Sequence, residues 1–275
     1  MGLSGKSRFM RRVHQILTQS CAAILQGTQM GLSGKSRFMR RVHQILVPSC
    51  LGRGQGATVR ALYRQYDYLD AYSRHTDLRV DRNPHAAVGG KWEEIGQLQF
   101  DFLVAKGLKP HHTLLDIGCG TLRGGRHFIR YLDVGKYTGI DISEKALAYA
   151  NNLVEEERLS EKHPRLLLNR EKKLLFTDFA GETFDYLLAQ SVFTHLMPEH
   201  IEECFQNIQR IMHTGSLFFF TFRHARSYKR MELKAFGYPI EFFHDLSQHC
   251  GYLVEDCSKE YLHPRGQGML MVKLA

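Results

Sequence analysis

The chain has 275 residues, 43% of them hydrophobic and 24% charged, which suits one large α/β domain with an extension. It holds no apolar run of about 18 residues, so no membrane-spanning helix is expected. The formal charge of +9 sits at the front: ten Lys or Arg and no acid precede Ala61, whereas 27 basic and 28 acidic side chains follow it, so the body is neutral and RNA or DNA is not its expected partner.

Residues 1–60 read as a basic, poorly ordered arm. "MGLSGKSRFMRRVHQIL" at Met1 to Leu17 returns unchanged at Met30 to Leu46. Two copies are too few for a stacked repeat, so the pair reads as a duplication or as two alternative starts, Met1 and Met30. "GKS" is not a phosphate loop, because Gln29 stands where the first glycine of that loop belongs. Lys6 likewise argues against myristoylation at Gly2. Phe38, Val42, Ile45 and Leu46 share one side of a basic helix that could touch an anionic membrane surface weakly or serve as a targeting peptide, although the Gly, Ser and Gln content favours a plain tail.

Residues 61–107 read as a helical extension. Within it "YRQYDYLDAYSRHTDLRV" is polar and aromatic, "DRNPHAAVGGKW" is expected to be a loop, and Trp92, Ile95, Leu98, Phe102 and Leu103 recur at helical spacing before Gly107. From residue 108 to 275, strand-like runs alternate with helical ones: "TLLDI", a helix from about Arg123, "YTGID", "SEKALAYANNLVEEERL", "RLLLN", "FDYLLAQS", "PEHIEECFQNIQRIMHTG" and "SLFFFTF". The end runs "IEFFHDLSQHCG", "YLVEDC", "GMLMVKL", and the last two strands are joined by a segment too short for a helical crossover. The predicted fold is a doubly wound, mostly parallel seven-stranded sheet with an antiparallel last strand. Six cysteines show no CxxC spacing, so neither a metal site nor a disulfide framework is expected, and a reducing, cytoplasmic setting fits.

"LLDIGCGTLRGG" ends an apolar run with an acid and then places four glycines in eight positions. Gly118, Cys119 and Gly120 form the turn after the first strand, where glycine permits positive φ and close approach of a ligand to main chain. Asp141 closes the second strand 21 residues after Gly120, where a carboxylate can accept hydrogen bonds from a ribose diol. A nicotinamide dinucleotide and an adenosyl nucleoside would both use that contact. Asp116 beside the turn would repel a diphosphate, and the spacing GxGxxxG differs from the dinucleotide fingerprint GxGxxG, so the two together favour a ligand with a zwitterionic tail.

"LLDIGCGTLRGG", "YTGIDIS" and "FDYLLAQSVFTHL", in this order, resemble the first, second and fourth strand motifs of class I S-adenosylmethionine-dependent methyltransferases, and the likeness runs from about Trp92 to Ala275. The resemblance implies S-adenosyl-L-methionine as cofactor. It implies that Asp116, Gly118, Cys119 and Gly120 line the methionine part, that Asp141 takes the ribose hydroxyls, that Ile142 packs on adenine and Asn169 meets the adenine amine, with Asp178 as a rival. Gln190 and Ser191 would flank the sulfonium. His195 would face the substrate as a general base, its ordinary pKa suiting neutral pH, or else bond backbone; His224, Glu93 and Glu94 are weaker candidates. Additions at the amino end of this fold commonly close the site, so residues before the core are expected to form a lid, with Tyr63, Tyr66 and Tyr68 free to stack on a ring. A small-molecule acceptor is the expected partner; a nicotinamide-dependent oxidoreductase and a cofactor-binding module without turnover are the alternatives.

Overall fold

Strand β1 (Leu114–Ile117) lies at the centre of a seven-stranded sheet, flanked by β2 (Tyr137–Asp141) and β3 (Arg165–Leu168) on one side and by β4 (Tyr186–Ala189) and β5 (Leu217–Arg223) on the other. The pairings β3–β2–β1–β4–β5 are all parallel. Beyond β5 come a hairpin of β6 (Lys229–Glu232) and β7 (Ala235–Gly237), then β8 (Tyr252–Asp256) and β9 (Gln267–Leu274). β9 inserts antiparallel between β5 and β8, giving the order 3-2-1-4-5-9-8. The predicted strand count and the antiparallel last strand are both found. This computed structural model describes Gly56 and residues 58–275. The duplicated segment, the basic arm with its amphipathic side, and the two alternative starts lie outside the described residues.

Helices α1 (Tyr68–Arg82), α2 (Pro84–Ala87) and α3 (Trp92–Ala105) precede β1; α4 (Gly125–Tyr131), α5 (Glu144–Glu156), α6 (Pro198–Ile208) and α7 (Ile240–Cys250) follow in the crossovers. α2 falls where a loop was expected. Asn83 starts it by accepting a hydrogen bond from the Ala86 amide at 2.9 Å, and Pro84 fits the first turn because it has no amide to leave unpaired. Ser143 caps α5 in the same way, accepting from the Ala146 amide at 3.1 Å. The β6–β7 hairpin gave no signal, because the polar–apolar alternation of "KRMELKAFG" runs unbroken from Arg230 to Ala235 with no turn pair to divide it into two strands.

The run of phenylalanines on β5 shows how the sheet feeds both layers. Phe218, Phe220 and Phe222 point into the core shared with α6 and α7, while Phe219 points into the core shared with α3, α4 and α5. The shared parallel direction of β1 to β5 places their carboxyl ends along one edge. Strand order reverses at the β1–β4 boundary, where the sheet's connections leave a crevice.

Candidate functional site

The turn after β1 begins at that crevice. Gly118 (φ 73°) and Gly120 (φ 57°) both adopt left-handed backbone, which a side chain would strain. The Gly118 and Cys119 amides donate to the Ile140 carbonyl at 2.8 and 3.0 Å, so the turn folds back over the end of β2. Asp141 then ties it from beside: its Oδ2 accepts from the Gly120 amide at 2.9 Å and its Oδ1 from the Ser143 amide at 2.8 Å. Gly118 and Asp141 thus belong to one site. The other two glycines serve packing. A Cβ on Gly125 would lie 2.4 Å from the Tyr137 hydroxyl oxygen, and one on Gly124 2.5 Å from Gln99 Oε1.

Tyr137 donates to Asp116 Oδ2 at 2.8 Å. Asp116 is 4% exposed, and burial pushes its carboxyl up to about 7, with the Tyr137 hydrogen bond acting against that rise. Arg123, in the same turn, is also buried. Its Nη1 donates to the Val88 and Gly90 carbonyls, while its Nε and the Nε2 of His263 are buried without a partner. Sequence reading passed over Arg123; a charged residue inside a glycine-rich turn was the available signal.

A cavity of about 400 Å³ opens over these groups, and all ten residues singled out as cofactor-binding or catalytic line it. Asn169 sits at one end, its Nδ2 donating to the Lys173 carbonyl at 2.8 Å. Its rival Asp178 is exposed and off the cavity. Gln190 and Ser191 follow directly on β4. Ser191 holds a left-handed φ of 60° without being glycine, fixed by its amide donating to Thr221 Oγ1 at 2.7 Å and its hydroxyl donating to Gln267 Oε1 at 3.0 Å.

His195 lies on the loop after β4. Its Nδ1 donates to the Lys234 carbonyl at 2.5 Å, which leaves the lone pair on Nε2. The neutral-pH pKa expected from sequence is corrected here: burial, then the charge of Lys234, push the imidazole down to about 3. His224 is exposed and off the cavity, while Glu93 and Glu94 are committed to Arg126 and Lys91. The tyrosine expectation is also corrected. Tyr63, Tyr66 and Tyr68 do not line the cavity; Tyr72 does, its ring 5.3 Å from His195.

α1 crosses this opening and is tied at its start and along its middle. Ser73 Oγ donates to the Ile142 carbonyl at 2.8 Å and Ser143 Oγ donates to Asp77 Oδ1 at 2.6 Å, while the Tyr68 hydroxyl donates to the His195 carbonyl at 2.6 Å. Among the described residues Glu255, Cys257 and Glu260 bring three metal-type ligand atoms within 4.8 Å of one another, but none of them lines the cavity. Lys106 Nζ, 2.8 Å from Glu260 and 3.9 Å from Glu255, already supplies the counter-charge there.

A reversing parallel sheet with a glycine turn on β1 and an acid ending β2 defines a nucleoside-binding α/β fold. Residues 115–218, from β1 into β5, match the family described as methyltransferase domain. Solved structures share the fold: magnesium protoporphyrin IX methyltransferase from Synechocystis with bound S-adenosylhomocysteine (14% identity, TM-score 0.57, 76% of this chain and 100% of that one). The CcbJ methyltransferase from Streptomyces caelestis compares similarly (12%, TM-score 0.58, 76% and 100%), as does the [4+2]-cyclase SpnF (17%, TM-score 0.57, 76% and 97%). Residues 115–218 thus carry a methyltransferase domain, set in the fold that these enzymes share. A nicotinamide-dependent activity is not favoured.

Proposed function

We propose that this enzyme methylates a small-molecule acceptor held beneath α1, in a cytoplasmic setting. The observation that carries the reading is one cavity with the glycine turn and Asp141 at one end and His195 with Tyr72 at the other. A volume of about 400 Å³ falls in the range of small-molecule sites. The free cysteines Cys119, Cys204, Cys250 and Cys257 support a reducing compartment. Incubation with methyl-labelled cofactor and fractionated metabolites tests the reading; label confined to protein or nucleic acid would overturn the small-molecule acceptor.

In this reading Asp141 receives the ribose hydroxyls on the second lone pairs of its two oxygens, Ile142 packs on adenine, and Asn169 meets the adenine amine. The fit at the amino-acid end rests on opposite charges: Asp116 suits an ammonium, and the unpartnered buried Nε of Arg123 and Nε2 of His263 suit a carboxylate. Gly118, Cys119, Gly120, Gln190 and Ser191 line the space between. S-adenosylmethionine supplies an electrophilic methyl group on a sulfonium. The protein's part is to orient the acceptor, exclude water, and offer His195 Nε2 to a hydroxyl proton.

Residues 61–107 act as a lid, on which Asp77 is the hinge-side latch. Asp77→Ala removes the acceptor for Ser143 Oγ and should weaken S-adenosylhomocysteine binding about 3- to 10-fold, mostly through faster dissociation, as read by stopped-flow fluorescence. Asp116 predicts a pH signature. Its folded pKa of about 7 is raised, so the stability it contributes is full below its ordinary 3.8 and is lost as pH rises through 7. An ammonium ligand favours the ionised form. Cofactor binding should therefore release a proton near pH 6.5 and tighten from about pH 5.5 to 7.5, and Asp116→Asn should abolish that dependence in calorimetry across buffers of different ionisation enthalpy.

A further inference from the structure

Three cations converge on the acceptor end of the cavity from three elements: Arg79 from α1, Arg223 from the end of β5, and Lys234 from the turn between β6 and β7. Each is half-buried. Among the described residues none of them forms an ion pair. Arg79 Nη2 donates to the Ala86 carbonyl at 2.5 Å, Arg223 Nη1 reaches only Met231 Sδ at 3.9 Å, and Lys234 Nζ lies 5.0 Å over the Tyr72 ring. The acids nearby offset them only in part, Glu232 acting against the depression of the Lys234 amine without pairing with it. Glu203 Oε1 is occupied by the Leu174 amide at 2.7 Å, and Glu232 is exposed and makes no ion pair with the three. The other cations of the cavity are engaged elsewhere: Lys172 with Asp70, Arg265 with the Gly89 carbonyl, Arg123 with Val88 and Gly90.

We propose that the methyl acceptor carries an oxyanion, a carboxylate or a phosphate, which Arg79, Arg223 and Lys234 bind beside His195. The proposal rests on the methyltransferase reading of this cavity and names its substrate class. Like charges gathered in a half-enclosed site repel one another, and an oxyanion is the group that relieves them while accepting from the planar guanidinium forks. The existing strain is visible in Lys234, whose amine is pushed down to about 7 by burial and then by Arg79. His195 feels all three cations, each of which disfavours its imidazolium. An anionic acceptor cancels that field and makes Nε2 a better proton acceptor when the substrate, and not water, is present.

Calorimetric titration of the full chain, with and without saturating S-adenosylhomocysteine, tests this with phenyl phosphate, benzoate and neutral benzyl alcohol as probes. At least one anion should bind, benzyl alcohol should not, and the stronger anion identifies the oxyanion. Arg223→Gln and Lys234→Met should each weaken that binding about 10-fold while S-adenosylhomocysteine affinity stays within about twofold. Equal binding of benzyl alcohol, absence of binding by both anions, or full anion affinity in both variants would overturn the oxyanion site. S-adenosylhomocysteine failing to bind while the anion still binds through Arg223 would instead leave the oxyanion site standing and count against the cofactor assignment.

Discussion

Asp141→Ala is expected to weaken S-adenosylhomocysteine binding by at least about 100-fold, the loss of two charge-assisted hydrogen bonds at roughly 1.5–3 kcal/mol each. In the proposed reading the carboxylate has two tasks, and the substitution would end both. It would no longer meet the ribose hydroxyls, and the Gly120 and Ser143 amides would lose their acceptor, so the turn over β2 and the start of α5 would loosen together. Asp141→Asn separates the tasks. Its carbonyl oxygen can still accept from the Gly120 amide, but its NH2 then faces the Ser143 N–H with no acceptor, so the unliganded protein should lose part of its unfolding midpoint, less than the alanine variant does, while affinity falls about 10-fold. Calorimetry on both variants, with thermal unfolding of each in the absence of ligand, reads the two effects apart. Micromolar affinity retained by the alanine variant would remove Asp141 from the ribose.

The glycine-turn end of the cavity, proposed above to hold the cofactor, was legible in the sequence because that end is built from main chain. A glycine turn and an acid at fixed distance are consequences of local backbone geometry, and local geometry is written in local residues, as Gly118, Gly120 and Asp141 show. The opposite end, proposed above to hold the acceptor, is assembled from far-separated segments. Tyr72, Arg79, Arg223 and Lys234 lie on a helix, a strand end and a turn that meet only after the sheet has formed, so no spacing announces them. His195 illustrates the same limit for energetics. Its position on the loop after β4 was readable, whereas its depressed pKa arises first from burial and then from the charges of Lys234, Arg223 and Arg79, all of which tertiary packing brings about. The α2 turn was lost for a smaller reason. Asn-Pro reads as a loop start, and here the same pair caps and opens a four-residue helix.

Gly118→Ala should lower unfolding stability by about 2–5 kcal/mol, combining roughly 1–2 kcal/mol for a side chain in left-handed backbone with about 1–3 kcal/mol of overpacking. The overpacking has an identified partner, because a Cβ at this position would lie 2.6 Å from Val192 Cγ2. Val192 begins the turn that carries His195, whose amide donates to the Val192 carbonyl at 2.8 Å. Relief of the clash by movement of Val192 would therefore shift His195 against the acceptor, and kcat/KM should fall at least about 10-fold, more than stability alone explains. A double-mutant cycle with Val192→Ala decides whether the route is this contact. That second substitution removes the steric partner but not the backbone strain, so it should return the overpacking share of stability and part of kcat/KM in the Gly118→Ala background, whereas in the parental protein it only opens a cavity. Strictly additive effects of the two substitutions would mean that the glycine is required for its φ of 73° alone and that the turn and the His195 loop move independently.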